Sequence, residues 1–388
     1  MIEQAENVGV LGRVEERRHG LTLEWLREHA WIGVWWAGTR AFVFAIAFAV
    51  HVLGRPAGYL RHDVHAHVFG LLNAWDGRWY RLVAAEGYLL VPGRQSDPAF
   101  FPLYPLLLRL GEHLGVSAAA SGLILSNLLL LVALVAFHAL TRDVLGRETA
   151  RRATIYVAVF PLGFVFSMAY PESLVLAALA LAALAALRNR WAAAALCAAA
   201  AALARPEGLF VALPLLAVAW RRRRTLDPVD RGLALGAVAA PAAALVSYPL
   251  YLAQVLHDPF AWSTAEHAWG RSFSPLGVVK AFETLPAAFH KDAWVLRDAT
   301  ALVLYLVLLV LARRAGTPWA WVGAAFLVFV LPLFSGSFNS LGRFGLLAPP
   351  VFWGLAALGR RRTVDLTIRV LSLALLAALT VTLPFVFP

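Results

Sequence analysis

Sixteen consecutive residues, Asn73–Tyr88 (NAWDGRWYRLVAAEGY), carry Asp76 amid Trp75, Trp79, Tyr80 and Tyr88, with Arg78 and Arg81 beside them. A lone carboxylate among aromatics suits a general base that takes the proton of a hydroxyl. The aromatic faces suit the apolar side of a sugar ring. Four further motifs hold polar groups next to apolar runs. They are Glu172 in SMAYPESL (Ser167–Leu174), Arg205 and Glu207 in ARPEG (Ala204–Gly208), His267, Trp269 and Arg271 in AEHAWGRSFSP (Ala265–Pro275), and Arg343 in FNSLGRFGLLAPP (Phe338–Pro350). Arginines at a membrane surface suit a lipid-linked phosphate, anionic and held in the headgroup plane. The chain has no glycine-rich phosphate loop and no DxD acidic pair, which argues against a nucleotide-sugar held through a divalent cation. A sugar already joined to a lipid phosphate needs neither, because arginine alone stabilises the leaving phosphate.

Each motif also has a structural reading. Asp76 pairs with a neighbouring arginine or caps a helix that starts at Gly77. Trp75, Trp79 and Tyr80 fit an interfacial aromatic belt. Glu172 follows Pro171 at a helix start, where the helix dipole favours a carboxylate. Arg205 satisfies carbonyls at a helix end. Arg343 stands alone against an apolar run and calls for a carboxylate or a phosphate. His62, His65 and His67 have metal-like spacing but no accompanying carboxylates, so no metal site and no cofactor is assigned.

These motifs sit in a chain of 388 residues that is 61% hydrophobic and 15% charged, with mean hydropathy +0.70. A soluble domain is nearer a quarter charged, so lipid is the natural solvent. The net charge of +11 does not point to nucleic acid, because the arginines lie in short clusters between apolar runs and follow the positive-inside rule. A single cysteine, Cys197, excludes an internal disulfide and a cysteine-based zinc site. The N-terminus is polar for about thirty residues, unlike a cleaved signal peptide.

Eleven spans are predicted at 31–53, 118–140, 153–170, 172–187, 191–205, 208–220, 232–256, 299–312, 318–335, 343–359 and 366–387. Backbone groups in lipid must bond internally, so the spans are helices. The inner segments are set by Arg13, Arg17, Arg18 and Arg27, by Arg142 to Arg152, by Arg188 and Arg190, by Arg221 to Arg231, by Arg313 and Arg314, and by Arg360 to Arg362. That places residues 1–30 in the cytoplasm and leaves two long outer loops, 54–117 and 257–298. Residues 99–115 are read as an interfacial or re-entrant helix, with Arg109, Glu112 and His113 near the headgroups. All five polar motifs then fall on the outer face and form one composite site. Residues 1–388 are read as a single polytopic domain.

The motifs together resemble the PIG-V family of membrane mannosyltransferases, within the GT-C class. The resemblance rests on WDGRWYRLVAAEGY (Trp75–Tyr88), AFFPLYP (Ala99–Pro105), YPESL (Tyr170–Leu174), the turn Arg205–Gly208, EHAWGRSFSP (Glu266–Pro275) and RFGLLAPPVF (Arg343–Phe352). It departs at Phe344, where the family has Tyr, and at Gly77, where an adjacent second acid is common; Asp97 or Glu172 is left for that role. The resemblance implies an all-α, GT-C-like polytopic bundle with short interfacial helices in the first outer loop. It implies inverting transfer of a hexose, mannose by family, from a polyprenyl-phosphate donor to a glycolipid or other hydroxyl acceptor. Asp76 is then the catalytic carboxylate. Trp75, Arg78, Trp79, Tyr80, Tyr88, Glu172, Arg205, Trp269, Arg271 and Arg343 are the substrate-binding set. On this reading Arg205 and Arg343 bind the donor phosphate, and Arg343→Ala mainly raises KM for the lipid donor. The location implied is the cell membrane, multi-pass, with the site extracytoplasmic. The competing reading is a multi-pass transporter or lipid flippase. Transporters keep polar groups near the midplane and often show internal repeats, and no repeat is evident here.

Overall fold

The computed structural model describes residues 29–54, 68–286, 288 and 293–385. The N-terminal arginines Arg13, Arg17, Arg18 and Arg27, and the histidines His62, His65 and His67, lie outside the described residues. Among the described residues there are helices and turns and no strand.

Among the described residues there are sixteen α-helices. α1 is His29–Leu53. α2 (Asp76–Glu86) and α3 (Leu103–His113) lie in the first long loop. α4 (Ala118–Leu145), α5 (Arg147–Val159), α6 (Glu172–Leu187), α7 (Trp191–Ala204), α8 (Ala212–Arg222) and α9 (Pro228–Val255) follow. α10 (Ala261–Ala268) and α11 (Gly277–Glu283) lie in the second long loop. α12 (Ala293–Arg314), α13 (Trp319–Val330), α14 (Leu341–Phe344), α15 (Pro349–Leu358) and α16 (Arg362–Thr382) complete the chain.

The pattern of exposure is that of helices solvated by lipid. α4 leaves Ile124, Leu128 and Val132 exposed, α12 leaves Val303, Val307 and Val310, and α16 leaves Leu371 and Leu375. The three- and four-residue spacing puts each set on one face of its helix, and that face is apolar. Inside, α7 packs along α6 and α9 through buried Ala194, Ala198, Ala201 and Ala202. Small side chains let the backbones approach closely.

Every predicted span contains helix, but they are not equal. Among the described residues, five helices are long and apolar enough to cross a membrane: α1, α4, α9, α12 and α16. A sixth crossing exists if the pair Leu341–Leu347 and Pro349–Leu358, bent by 84°, is counted as one. α6, α7 and the run Trp319–Ser335 are shorter apolar helices. The reason is local. The predicted spans 153–170, 208–220, 318–335 and 343–359 are each interrupted by a 3-10 turn next to a proline. The turns are Gly163–Ser167, Pro206–Val211, Leu331–Ser335 and Gly345–Leu347; the prolines are Pro161, Pro206, Pro332 and Pro349. Proline has no N–H to donate and disfavours helix in the residue before it.

Residues 99–115 contain α3, whose 11 residues reach about 16 Å at 1.5 Å per residue. That is roughly half the hydrocarbon thickness. Tyr104 and Leu108 are buried, and Leu106, Leu110, Arg109, Glu112 and His113 are exposed.

Candidate active site

The interruptions converge on one end of the bundle. Trp75 sits at φ +58°, a region that non-glycine residues rarely occupy. This kink turns the chain from the 3-10 turn Gly70–Asn73 into α2, so that Asp76 is the first residue of the helix. Its carboxylate lies at the positive end of the helix dipole. Its N–H donates to the Tyr170 hydroxyl at 3.0 Å. Tyr170 is carried by the turn before α6, which is joined to the first loop by Ala169 N–H donating to Leu72 O at 2.9 Å. Pro171 precedes α6 and leaves Glu172, fully buried, at that helix's start.

Arg343 reaches the same point from α14. α12 shapes the loop that delivers it: the Tyr305 hydroxyl donates to Gly342 O. A Cβ on Gly342 would fall 2.7 Å from Asp298 Oδ1 and 2.9 Å from Leu162 Cδ1, so any larger residue there pushes those side chains aside.

The result is a buried chain of charges. Arg343 Nη2 lies 2.6 Å from Asp76 Oδ2, and its Nε lies 3.7 Å from Glu172 Oε1. Arg205 Nη1 lies 2.7 Å from the same Glu172 oxygen. Arg205 also holds Glu207, with Nε 3.1 Å from Oε2. The Arg343 guanidinium stands over the Tyr170 ring, 5.3 Å from its centroid. Arg205 stands 5.0 Å from the Phe344 ring centroid. Aromatic faces favour a cation there. Glu172 Oε2 is buried and accepts no hydrogen bond among the described residues.

Above this chain opens a cavity of about 100 Å³. Asp76, Arg205, Glu207 and Arg343 form its floor, and Tyr80, Phe100, Phe101 and Phe344 form apolar walls. Glu266, Trp269 and Arg271, from the second long loop, close one side. Arg271 Nη1 lies 3.5 Å from Glu266 Oε2, and its Nη2 donates to Ser340 Oγ at 3.3 Å. Trp269 is fixed by Nε1 donating to Ser96 O at 3.2 Å. Burial pushes the Glu266 carboxyl above the ordinary carboxylate range. Arg271 opposes that shift, and the nearby Glu207 and Asp76 carboxylates add to it.

Of the sequence-predicted residues, Asp76, Tyr80, Arg205, Trp269, Arg271 and Arg343 line this cavity. Glu172 lies beneath it. Trp79 stands one layer back, stacked on Phe100 with centroids 5.8 Å apart and edge-on to Trp269 at 5.3 Å. Three residues lie away from it. Trp75 turns the other way, and its Nε1 donates to Leu383 O at 3.0 Å, just past α16. Arg78 is on the exposed face of α2. Tyr88 lies beyond the end of α2, where its hydroxyl donates to Phe100 O at 2.7 Å. It stiffens the loop rather than facing the cavity.

Asp97, considered as a second acid, is not in the cavity wall. Its Oδ1 accepts from Leu89 N–H at 2.7 Å. Burial raises its carboxyl to about 6. The residues that the functional assignment left out are Glu207, Glu266 and Tyr170. Their signals were the short separations Arg205 to Glu207 and Glu266 to Arg271, and the aromatic just before Pro171. Among the described residues no three His, Cys, Asp or Glu side chains converge to hold a metal ion.

No family model and no curated protein sequence matches the chain. Among solved structures it is similar to an Archaeoglobus fulgidus oligosaccharyltransferase in the apo form. That match has TM-score 0.49 and 14% identity, and covers 89% of this chain and 56% of the other. It is also similar to the archaeal oligosaccharyltransferase AglB from Archaeoglobus fulgidus in complex with an inhibitory peptide and a dolichol-phosphate. There the TM-score is 0.43 and the identity 13%, over 92% of this chain and 56% of that one. The chain spans little more than half the length of either.

Proposed function

We propose that the chain is a GT-C membrane glycosyltransferase. It transfers a hexose, mannose by the motif resemblance, from a polyprenyl-phosphate donor to a hydroxyl acceptor at the extracytoplasmic face. The observation that carries this reading is the meeting of five separate motifs at one cavity, four of them in its lining and Glu172 beneath it. That cavity joins a carboxylate, aromatic walls and three arginines, the parts that proton removal, sugar binding and a leaving phosphate each require. On this reading the eleven apolar runs are crossings. The broken helix ends lie at the outer side, where non-helical backbone is tolerated because it is buried in protein. The chain acts as one polytopic unit.

Asp76 accepts the proton of the acceptor hydroxyl as its oxygen bonds to the sugar C1. The C1–O bond to the phosphate breaks, and its electron pair leaves with the phosphate oxygen. Arg343 fixes the Asp76 carboxylate in place. Trp269 and the phenylalanine walls cover the sugar ring. Arg271, the more exposed of the three arginines, takes the phosphate.

The test is transfer from a radiolabelled polyprenyl-phosphate hexose to extracted membrane glycolipid by the protein in nanodiscs. Asp76→Asn is expected to lower turnover by about a hundredfold or more with the protein still folded. Near-normal turnover by that variant sinks the catalytic assignment. Movement of the lipid donor across the bilayer with no covalent product points to the flippase instead.

A further inference from the structure

The charges around the cavity fall into two groups. Asp76, Glu172 and Glu207 are held by Arg205 and Arg343 at 2.6 to 3.1 Å. Those side chains are each 10% exposed or less. The second group is a single pair. Glu266 and Arg271 stand 3.5 Å apart, with side chains 27% and 29% exposed. It is the looser contact and the one open to an incoming ligand. Altogether four carboxylates meet three guanidiniums, one negative charge in excess before any anion arrives.

We propose that Glu266 and Arg271 form an exchangeable pair: an anionic phosphodiester takes Arg271 from Glu266, and Glu266 takes up a proton as the anion binds. Anion binding at this site is therefore linked to protonation. This inference rests on the reading above, in that it assigns the donor phosphate to Arg271.

The physical argument is one of local charge. A phosphodiester entering the cavity raises the excess to two negative charges in a space largely shielded from water, where repulsion is strong. Neutralising one carboxylate removes that cost. The carboxylates of the first group each have a guanidinium at close range. Glu266 loses its partner to the ligand, and burial with the Glu207 and Asp76 charges already favours its neutral form. The other titratable and charged groups around it do not supply a second counter-ion. On its own segment, His267 Nδ1 is turned to Ser263 O at 2.7 Å. The turn Asp97–Ala99 and α9, both packed on α10, bring Asp97 and Tyr248. Across the cavity lie Tyr80, Arg205 and Arg343, the arginines occupied as described.

The sign follows from linkage. If the bound state holds one more proton than the free state, affinity falls as pH rises, by up to about tenfold per pH unit. The probe is methyl farnesyl phosphate, a diester with one constant charge, because a phosphate monoester titrates near neutrality itself. Binding to the full-length protein in nanodiscs is measured from about pH 5.5 to about 8.5, a range that straddles a raised carboxyl. Wild type is expected to lose affinity with rising pH. Glu266→Gln, neutral and of the same shape, is expected to bind more tightly at the alkaline end and to show a flat profile. Arg271→Lys is expected to bind more weakly while keeping the slope.

A wild-type slope retained in Glu266→Gln overturns the inference, and so does unchanged affinity in Arg271→Lys. A second arm uses dimethyl phosphate. Equal affinity for it supports the pair and makes the ligand a free phosphodiester, whereas preference for the farnesyl ester supports the pair with a lipid-borne ligand. The two readings fail separately. Linked binding without hexose transfer leaves the pair standing and removes the glycosyltransferase. Transfer with pH-independent binding does the reverse.

Discussion

Arg343 illustrates what a side chain's type reveals and what only its neighbours reveal. An isolated arginine beside an apolar run requires an anion, and that much was legible in its surroundings. The anion turns out to be protein: Asp76 and Glu172, which lie far away in sequence. No spacing rule connects positions 76, 172 and 343, so the pairing was invisible. It also changes the expected phenotype. Removing a guanidinium that is 4% exposed strands the buried Asp76 carboxylate and leaves Glu172 to Arg205 alone, a loss of about 3–5 kcal/mol for a broken buried pair. Arg343→Ala should therefore reduce the yield of folded protein and its melting temperature in detergent, rather than simply raise KM. Arg343→Lys keeps the charge but cannot span both carboxylates as a planar fork does. It is expected to fold and to lose turnover. Wild-type melting of Arg343→Ala would show that the ion pair contributes nothing to the fold.

The elements bring these residues together by breaking. Where the sequence reads as continuous apolar helix, proline-linked 3-10 turns divide the spans, and two of those turns, Pro206–Val211 and Gly345–Leu347, carry or abut site residues. Helix periodicity and length were readable from hydropathy, which is why α6 starts and ends where its span was drawn. The turns were not, because a proline marks a break without giving the path the chain takes after it, which is set by close backbone approach. Gly208 is such a contact. A Cβ there would lie 2.2 Å from the Ala201 carbonyl carbon, against backbone that cannot swing aside. Gly208→Ala is expected to push the turn Pro206–Val211 off α7 and to separate Arg205 from Glu172. Lower melting temperature together with impaired transfer would be seen, and an unperturbed protein would refute the packing argument.

Asp97 gives an element-level pH prediction. Its carboxyl is raised to about 6 in the fold, above the ordinary aspartate value near 3.9. The folded state thus holds the proton more tightly than the unfolded chain. The stabilisation this provides is complete below the unfolded value and disappears as pH rises through about 6. Asp97→Asn retains an acceptor for Leu89 N–H without the charge. It should melt above wild type at pH 7.5, a value about a unit and a half past that titration, and the gap should close at mildly acidic pH. A gap that does not change with pH would exclude Asp97 as its source.

At the scale of the whole molecule the two ends of the bundle differ in kind. α6 begins at Glu172 beneath the cavity, and its 16 residues carry the chain about 24 Å to Leu187 at the other end. There the arginine clusters meet one another. Arg222 Nη2 donates to Leu187 O at 2.8 Å, and Arg188 Nη2 lies 3.9 Å from Asp143 Oδ2. Arg152 Nε donates to Ala356 O at 3.2 Å, and the Tyr156 hydroxyl donates to Asp365 at 2.7 Å. Arginine counting grouped these segments before any contact was known, because the positive-inside rule acts on loops and needs no tertiary information. The grouping gives a direct test of orientation. In a Cys197→Ala background, Glu86→Cys at the exposed end of α2 should react with a membrane-impermeant maleimide on intact cells. Arg224→Cys, also exposed, should react only after permeabilisation. The opposite pattern would put the cavity on the cytoplasmic side and remove the extracytoplasmic reaction. Labelling of both sites on intact cells would mean that the arginine end and the cavity end share one side, and the crossings drawn between them would be wrong.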